Sequence, residues 1–163
     1  MTVPYKDILL ALAKSKVRYL VAGGFAVNFH NYNRSTADLD LIIHLEPKNA
    51  EMFDAMMTDL GYRPRVPVSG KDLGDESKRR EWIMEKNMVV FTYINPNNPM
   101  EIIDIFVEEP KPFEEMYKDR LVSDVFDVKI NVVGYDDLVE MKKKAGRPKD
   151  QIDLLELEKR NGK

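Results

Sequence analysis

Asp38 and Asp40 stand two residues apart in a run, DLDLIIH at 38–44, that alternates polar and apolar before turning wholly apolar. That pattern predicts a half-buried β-strand. Strand side chains alternate faces, so both carboxylates leave the same face, with Cβ atoms roughly 6.5–7 Å apart. Two such charges repel by about 2–3 kcal/mol at an effective dielectric of ~20, and water or a cation must offset this. A third acid, Asp104, sits between Ile103 and Ile105 in a second strand-like run, EIIDIFV at 101–107. An acid bracketed by apolar residues belongs either to a solvent face or to a site. If this strand lies beside 38–44, three carboxylates converge. The chain has no cysteine and only two histidines, so the donors are oxygens, which suit Mg²⁺ (or Mn²⁺) rather than zinc. The chemistry served by such a cluster is in-line displacement at phosphorus.

The spacing alone decides nothing. With 15 aspartates in 163 residues, an Asp-x-Asp arises by chance about 1.4 times. A solvated strand edge is the competing explanation for Asp38 and Asp40. The setting must therefore carry the argument, and it begins upstream. VRYLVA at 17–22 reads as a strand, Gly23-Gly24 breaks it, and FAVNFHN at 25–31 reads as a short helix. Glycines at such a junction let the backbone approach a phosphate, and the helix N-terminal amides favour an anion; a tight strand–helix turn also needs glycine. No Gly-Lys-Ser/Thr follows and no third glycine is present, which excludes a P-loop and a dinucleotide fingerprint.

Other elements complete the frame. Helices are expected at 4–15, 48–60, 110–117, 135–145 and from Pro148 to about 160, with Gly146 and Pro148 separating the last two. A strand at 88–94 and the strand at 101–107 flank NPNNP at 95–99, which predicts a hairpin with a longer loop. Residues 121–133 read as extended pieces, and the glycine-containing, highly charged stretch 64–81 reads as a loop, part of which could be strand. Strands and helices intermix, giving an α/β (α+β) class with a mixed sheet.

The whole of VAGGFAVNFHNYNRSTADLDLII, residues 21–43, resembles the signature region of the DNA polymerase β-like nucleotidyltransferase superfamily, with Ile103-Asp104-Ile105 matching its later carboxylate strand. The Arg34-x-Thr36-x-Asp38-x-Asp40 form and KAGRPKDQIDLLEL at 144–157 are similar to the AbiEii-type toxin and related minimal branch. The resemblance implies a nucleotidyltransferase fold, with a mixed central sheet and helices packed mainly on one side. It implies transfer of an NMP from an NTP, with Asp38, Asp40 and Asp104 as metal-binding and catalytic residues. Gly23, Gly24, Arg34, Thr36, Lys144 and Arg147 are the implied nucleotide contacts. The acceptor is left open among an RNA end, a protein hydroxyl and a small molecule, and the biological setting implied is the toxin of a toxin–antitoxin pair, with an antitoxin as partner. One departure stands out: Phe25 follows Gly24, where the superfamily often places a phosphate-binding Ser or Thr. A non-catalytic binding or regulatory module on the same scaffold is the alternative.

Several polar residues have two explanations each. Arg34 could clamp a phosphate or form a structural ion pair with an aspartate. Lys142, Lys143, Lys144, Arg147 and Lys149 form either a solvated helix end favoured by the dipole or a phosphate contact. Asp150 could pair with Arg147 or help start the last helix. His30 is expected to be structural more often than nucleotide-touching, and Trp82 and Tyr93 are expected in the core.

Hydrophobic residues at 44% and charged residues at 33% support one packed domain over 1–163, with the helices of 135–160 packed on its core. The formal net charge of −3 argues against a general attraction to nucleic acid and leaves a local basic patch open. No window approaches the ~18 apolar residues that span a bilayer, and no signal peptide is evident. The expected location is the cytoplasm, without membrane association.

Overall fold

The computed structural model describes residues 4–162. Its first helix, α1 (Lys6–Lys14), buries Ile8, Leu9 and Leu12 as one stripe. Strand β1 (Tyr19–Ala22) is buried along its whole length and passes directly into α2 (Gly23–Phe29), so the glycine pair forms the first turn of that helix rather than a link before it. Strand β2 (Leu39–Ile43) follows, and α3 (Pro47–Asp59) starts with proline in its first turn and the Glu46 side chain accepting backbone N–H groups at its N-terminus. Later come β3 (Arg63–Pro64), a 3₁₀ turn at Gly70–Gly74, α4 (Glu76–Lys86), β4 (Val90–Asn95), β5 (Asn98–Phe106), α5 (Phe113–Lys118), β6 (Leu121–Val125), β7 (Val128–Val132), α6 (Tyr135–Ala145) and α7 (Pro148–Asn161).

All strands join one mixed sheet of order β3-β4-β5-β2-β1-β7-β6. β1 runs antiparallel to β2 and parallel to β7. β2 runs parallel to β5, so the two acid-bearing strands are neighbours, the arrangement under which the carboxylates converge. Leu39, Leu41 and Ile43 of β2 and Ile103 and Ile105 of β5 are buried. Those residues anchor one face of the sheet and leave the alternate positions, Asp40 and Asp104, on the other. Leu138 of α6 and Leu157 of α7 belong to the same hydrophobic core. No helix among the described residues is long and apolar enough to cross a membrane.

Two local expectations are corrected. The stretch 64–81 is not a plain loop: it holds part of β3, the 3₁₀ turn and the start of α4. Asp75 caps α4 by accepting the Lys78 N–H, and Arg80 pairs with Glu76 one turn away. Trp82 is the helix's one buried residue among the described ones, so no apolar stripe announced it. The β4–β5 hairpin is tighter than expected, since Asn95 pairs with Asn98 across Pro96-Asn97. Asn95 accepts the Asn97 N–H through its side chain, which closes the turn locally. The β6–β7 hairpin turns on Phe126 and Asp127, both with positive φ.

Candidate active site

The site is built on one row across the sheet. Ala22 pairs with Asp40, Asp40 with Asp104, and Asp104 with Thr92. Directly paired residues share a face and neighbouring strands lie ~4.8 Å apart, so Asp40 and Asp104 project side by side. Asp38, expected as the first residue of the strand, stands just outside it, since β2 begins at Leu39. Asp38, Asp40 and Asp104 line one cavity of about 710 Å³, together with Gly23, Gly24, Arg34, Thr36, Lys142, Arg147, Lys149 and Asp150.

Each glycine is required by a side chain of the site itself. Gly23 has φ +60, and a methyl group on it would fall 1.9 Å from Asp40 Oδ2. A methyl on Gly24 would fall 2.4 Å from Thr36 Oγ1. The pair thus lets the Asp40 carboxylate and the 34–36 segment lie against the start of α2. Burial, then the charges of Asp104 and Asp38, push the Asp40 carboxyl up to about 6, against the partial relief of Lys142 and Lys149. Burial also raises Asp104; a hydrogen bond from Thr92 Oγ1 (2.7 Å) opposes that rise, Asp38 adds to it, and Arg65 opposes it. Carboxylates held in this state seek a cation.

The opposite wall is a buried ionic network. Lys142 is 5% exposed, Asp150 0% and Asp153 1%. The Lys142 ammonium reaches Asp150 at 3.1 Å and Asp153 at 2.9 Å. Arg34 grips Asp153 with two bonds, Nε at 2.7 Å and a terminal nitrogen at 2.8 Å. Arg147 donates to Asp150 from its Nε at 2.7 Å, and its backbone N–H also bonds Asp150 at the start of α7. Both explanations offered for Asp150 therefore hold, and Arg34 has the structural ion pair. Three cations against two buried acids leave a positive wall, extended by exposed Lys149, across from the acidic one. Lys144 is not part of it: this residue lies beside Pro110, Lys111 and Glu140 on another side of α6, and Lys142 and Lys149 line the cavity instead.

Tyr5, unnoticed in the sequence, holds the ends of the acid-bearing strands. Its hydroxyl donates to the Ala37 carbonyl (2.6 Å) and accepts the Ile102 N–H (3.0 Å). Phe25, where a hydroxyl residue was expected, packs edge-on against the Tyr5 ring at 5.4 Å. His30 is buried with Nε2 2.8 Å from the Val133 carbonyl, a structural placement outside the cavity lining. Trp82 and Tyr93 pack against Phe91 in the core with their rings tilted to its plane. Thr92 and the Asp153 partner of Arg34 carried no local signal, since each contact spans strands or distant helices.

Among the described residues, no group of three His, Asp or Glu side chains closes around a single ion. Mg²⁺ asks for no such cage; it keeps waters and takes one or two carboxylates plus substrate phosphates. Adjacent Asp40 and Asp104, with Asp38 at the rim and no thiol or imidazole in the cavity lining, fit Mg²⁺ or Mn²⁺ and do not fit a closed zinc site.

No known family's sequence profile matches the chain, and no curated protein sequence matches it. Solved structures do. The fold is similar to that of the lincosamide antibiotic adenylyltransferase LnuA with lincomycin bound, at a TM-score of 0.61 and 15% identity over 97% of this chain and 98% of that one. It is similar to ANT(2″)-Ia in complex with adenylyl-2″-tobramycin, at 0.57 and 14% over 93% and 83%. A third likeness is to an antigenic nucleotidyltransferase-like protein of Paracoccidioides brasiliensis, at 0.55 and 14% over 93% and 74%. The architecture is the nucleotidyltransferase fold.

Proposed function

We propose that this cavity transfers a nucleoside monophosphate from an NTP to a hydroxyl acceptor, with Mg²⁺ or Mn²⁺ taken up at Asp40 and Asp104 together with the substrate phosphates, and Asp38 contributing from the rim. The observation that carries this is the facing of two walls: paired carboxylates on β2 and β5, and the cationic face of α6 and α7 across one cavity. A metal-bound triphosphate is the ligand whose charges suit both. Bound there, the ion supplies Lewis-acid neutralisation of phosphate charge. Lys142, Arg147 and Lys149 attract and orient the phosphates, and the amides of Gly23 and Gly24 with Thr36 are placed to meet them at the start of α2. Arg34 acts mainly through its grip on Asp153, which fixes α7 against the 34–36 segment. The acceptor hydroxyl attacks the α-phosphorus in line, pyrophosphate leaves, and Asp104 orients the hydroxyl and takes its proton.

The solved adenylyltransferases of similar fold are described with antibiotic or adenylylated antibiotic, which supports nucleotidyl transfer to a hydroxyl as the reaction class. The Arg34–Asp40 and 144–157 segments support a toxin of a toxin–antitoxin pair as the setting, with an antitoxin as the protein partner. Incubation with each α-labelled NTP, Mg²⁺ and either total RNA or a cell lysate tests the activity. A labelled product that needs Mg²⁺ and disappears with Asp40→Asn is expected. No labelled product with any NTP, or one that persists with Asp40→Asn, would overturn it.

A further inference from the structure

The row that carries the carboxylates does not end at Thr92. The Arg65 N–H donates to the Thr92 carbonyl at 2.9 Å, which continues the pairing of β3 with β4 by one residue. Arg65 therefore shares the face of Thr92, Asp104 and Asp40, two strand spacings or ~10 Å from Asp104. Two residues back, Arg63 pairs with Ile94, and Ile94 with Ile102, on the same face. Ile94, Ile102 and Thr92 are half-buried, whereas Arg63 and Arg65 are exposed. Neither arginine makes a side-chain hydrogen bond or ion pair with any described residue, while Arg18, Arg34, Arg80, Arg147 and Arg160 each hold an acid. The result is an apolar-floored shelf, open beyond the cavity, with two guanidinium groups along its outer edge that have no hydrogen-bonded or ion-paired partner among the described residues, and no acidic side chain on its two rows past Asp104.

We infer that this shelf receives the acceptor, and that Arg65, with Arg63, binds a phosphate carried by the acceptor close to its reacting hydroxyl. The inference rests on the proposed nucleotidyl transfer, which puts the reacting hydroxyl at Asp104. From there the shelf leads away from the α6–α7 wall, so the NTP and the acceptor enter from opposite sides. Arginine is suited to the job because its planar fork meets phosphate oxygens in pairs. A polycationic acceptor such as an aminoglycoside would meet like charge at this edge. The shared chemistry is a phosphate beside a free hydroxyl, found at the 3′ end of an RNA strand and on a sugar phosphate.

The test uses the full chain. Fluorescence anisotropy with 5′-fluorescein-labelled hexauridylate, competition by ribose 5-phosphate and by tobramycin, and calorimetry with NTP and Mg²⁺ are run on wild type, Arg65→Ala and Arg65→Glu. The hexauridylate is expected to bind wild type, to bind at least tenfold more weakly to Arg65→Glu, and to show a smaller loss with Arg65→Ala, in which NTP affinity falls by less than hexauridylate affinity. Displacement by ribose 5-phosphate at comparable concentration assigns the site to a sugar phosphate; resistance to it assigns the site to an RNA end. Equal hexauridylate and ribose 5-phosphate binding by wild type and Arg65→Glu overturns the inference and leaves NTP binding standing. So does saturable binding of tobramycin to wild type where hexauridylate and ribose 5-phosphate do not bind. Absence of NTP binding to wild type overturns the transfer reaction itself, and this inference with it.

Discussion

At the scale of single residues, Asp40 is a residue whose usefulness costs stability. Its carboxyl lies against Gly23, next to Asp104 and Asp38, and is raised from 3.8 to about 6. A folded-state value above the unfolded one means that the folded protein binds the extra proton between those values. Stability therefore falls as pH rises from about 4 through about 6, and the deficit is complete above that. The shift corresponds to about 3 kcal/mol. Asp40→Asn keeps the shape without the charge, so it should raise the metal-free urea midpoint at pH 7.5 and lose that advantage below about pH 4. Denaturation of both proteins across pH 3.5–8 checks this; an unchanged or lower midpoint at pH 7.5 would contradict it. Thr92 acts in the opposite sense on Asp104, because its hydroxyl donates to the ionised carboxylate. Thr92→Val should move the acid limb of the transfer rate to higher pH, and Thr92→Ser should restore it. A pH–rate profile with an unmoved limb would remove Thr92 from the site. These two residues differ in how visible they were. Asp40 stood in a motif, whereas Thr92 is an ordinary strand threonine until β4 is laid beside β5.

At the scale of elements, Tyr5 joins α1's approach to the ends of β2 and β5. Tyr5→Phe leaves the Ile102 N–H and the Ala37 carbonyl without this partner. The expected cost is about 1–3 kcal/mol. Hydrogen exchange at the Ile102 amide should quicken more than at Ile105 in the same strand; equal protection in mutant and wild type would show that the hydroxyl does not hold the strand. Elements with strong periodicity or clear caps were legible in advance, among them α1, α6 and α7, with Gly146 and Pro148 dividing the last two. α4 was not, because its stabilisation comes from the Asp75 cap and the Glu76–Arg80 pair and it buries Trp82 without an apolar stripe. The ionic network was half legible. Asp150 and Asp153 fall three apart on α7 and so share a face, but their partners Arg34 and Lys142 come from other elements, and nothing local names them.

At the scale of the whole molecule, a chain of net charge −3 separates its charges so that an acidic sheet row faces a cationic helical wall. The α/β class followed from the alternating patterns, and the pairing of the two acid-bearing strands was posed as the condition for the three aspartates to meet. The full strand order and the edge position of β3 did not, because a two-residue strand has no period to read. The central claim is that the two walls together hold a triphosphate through a divalent ion. Calorimetric titration of each NTP, with and without Mg²⁺, into wild type and into the Asp38→Ala/Asp40→Ala double variant tests it most directly. The account predicts saturable one-to-one binding of at least one NTP to wild type that requires Mg²⁺ and is lost in the double variant. Binding that is indifferent to Mg²⁺ and to both aspartates, or no binding of any NTP by wild type, would contradict it.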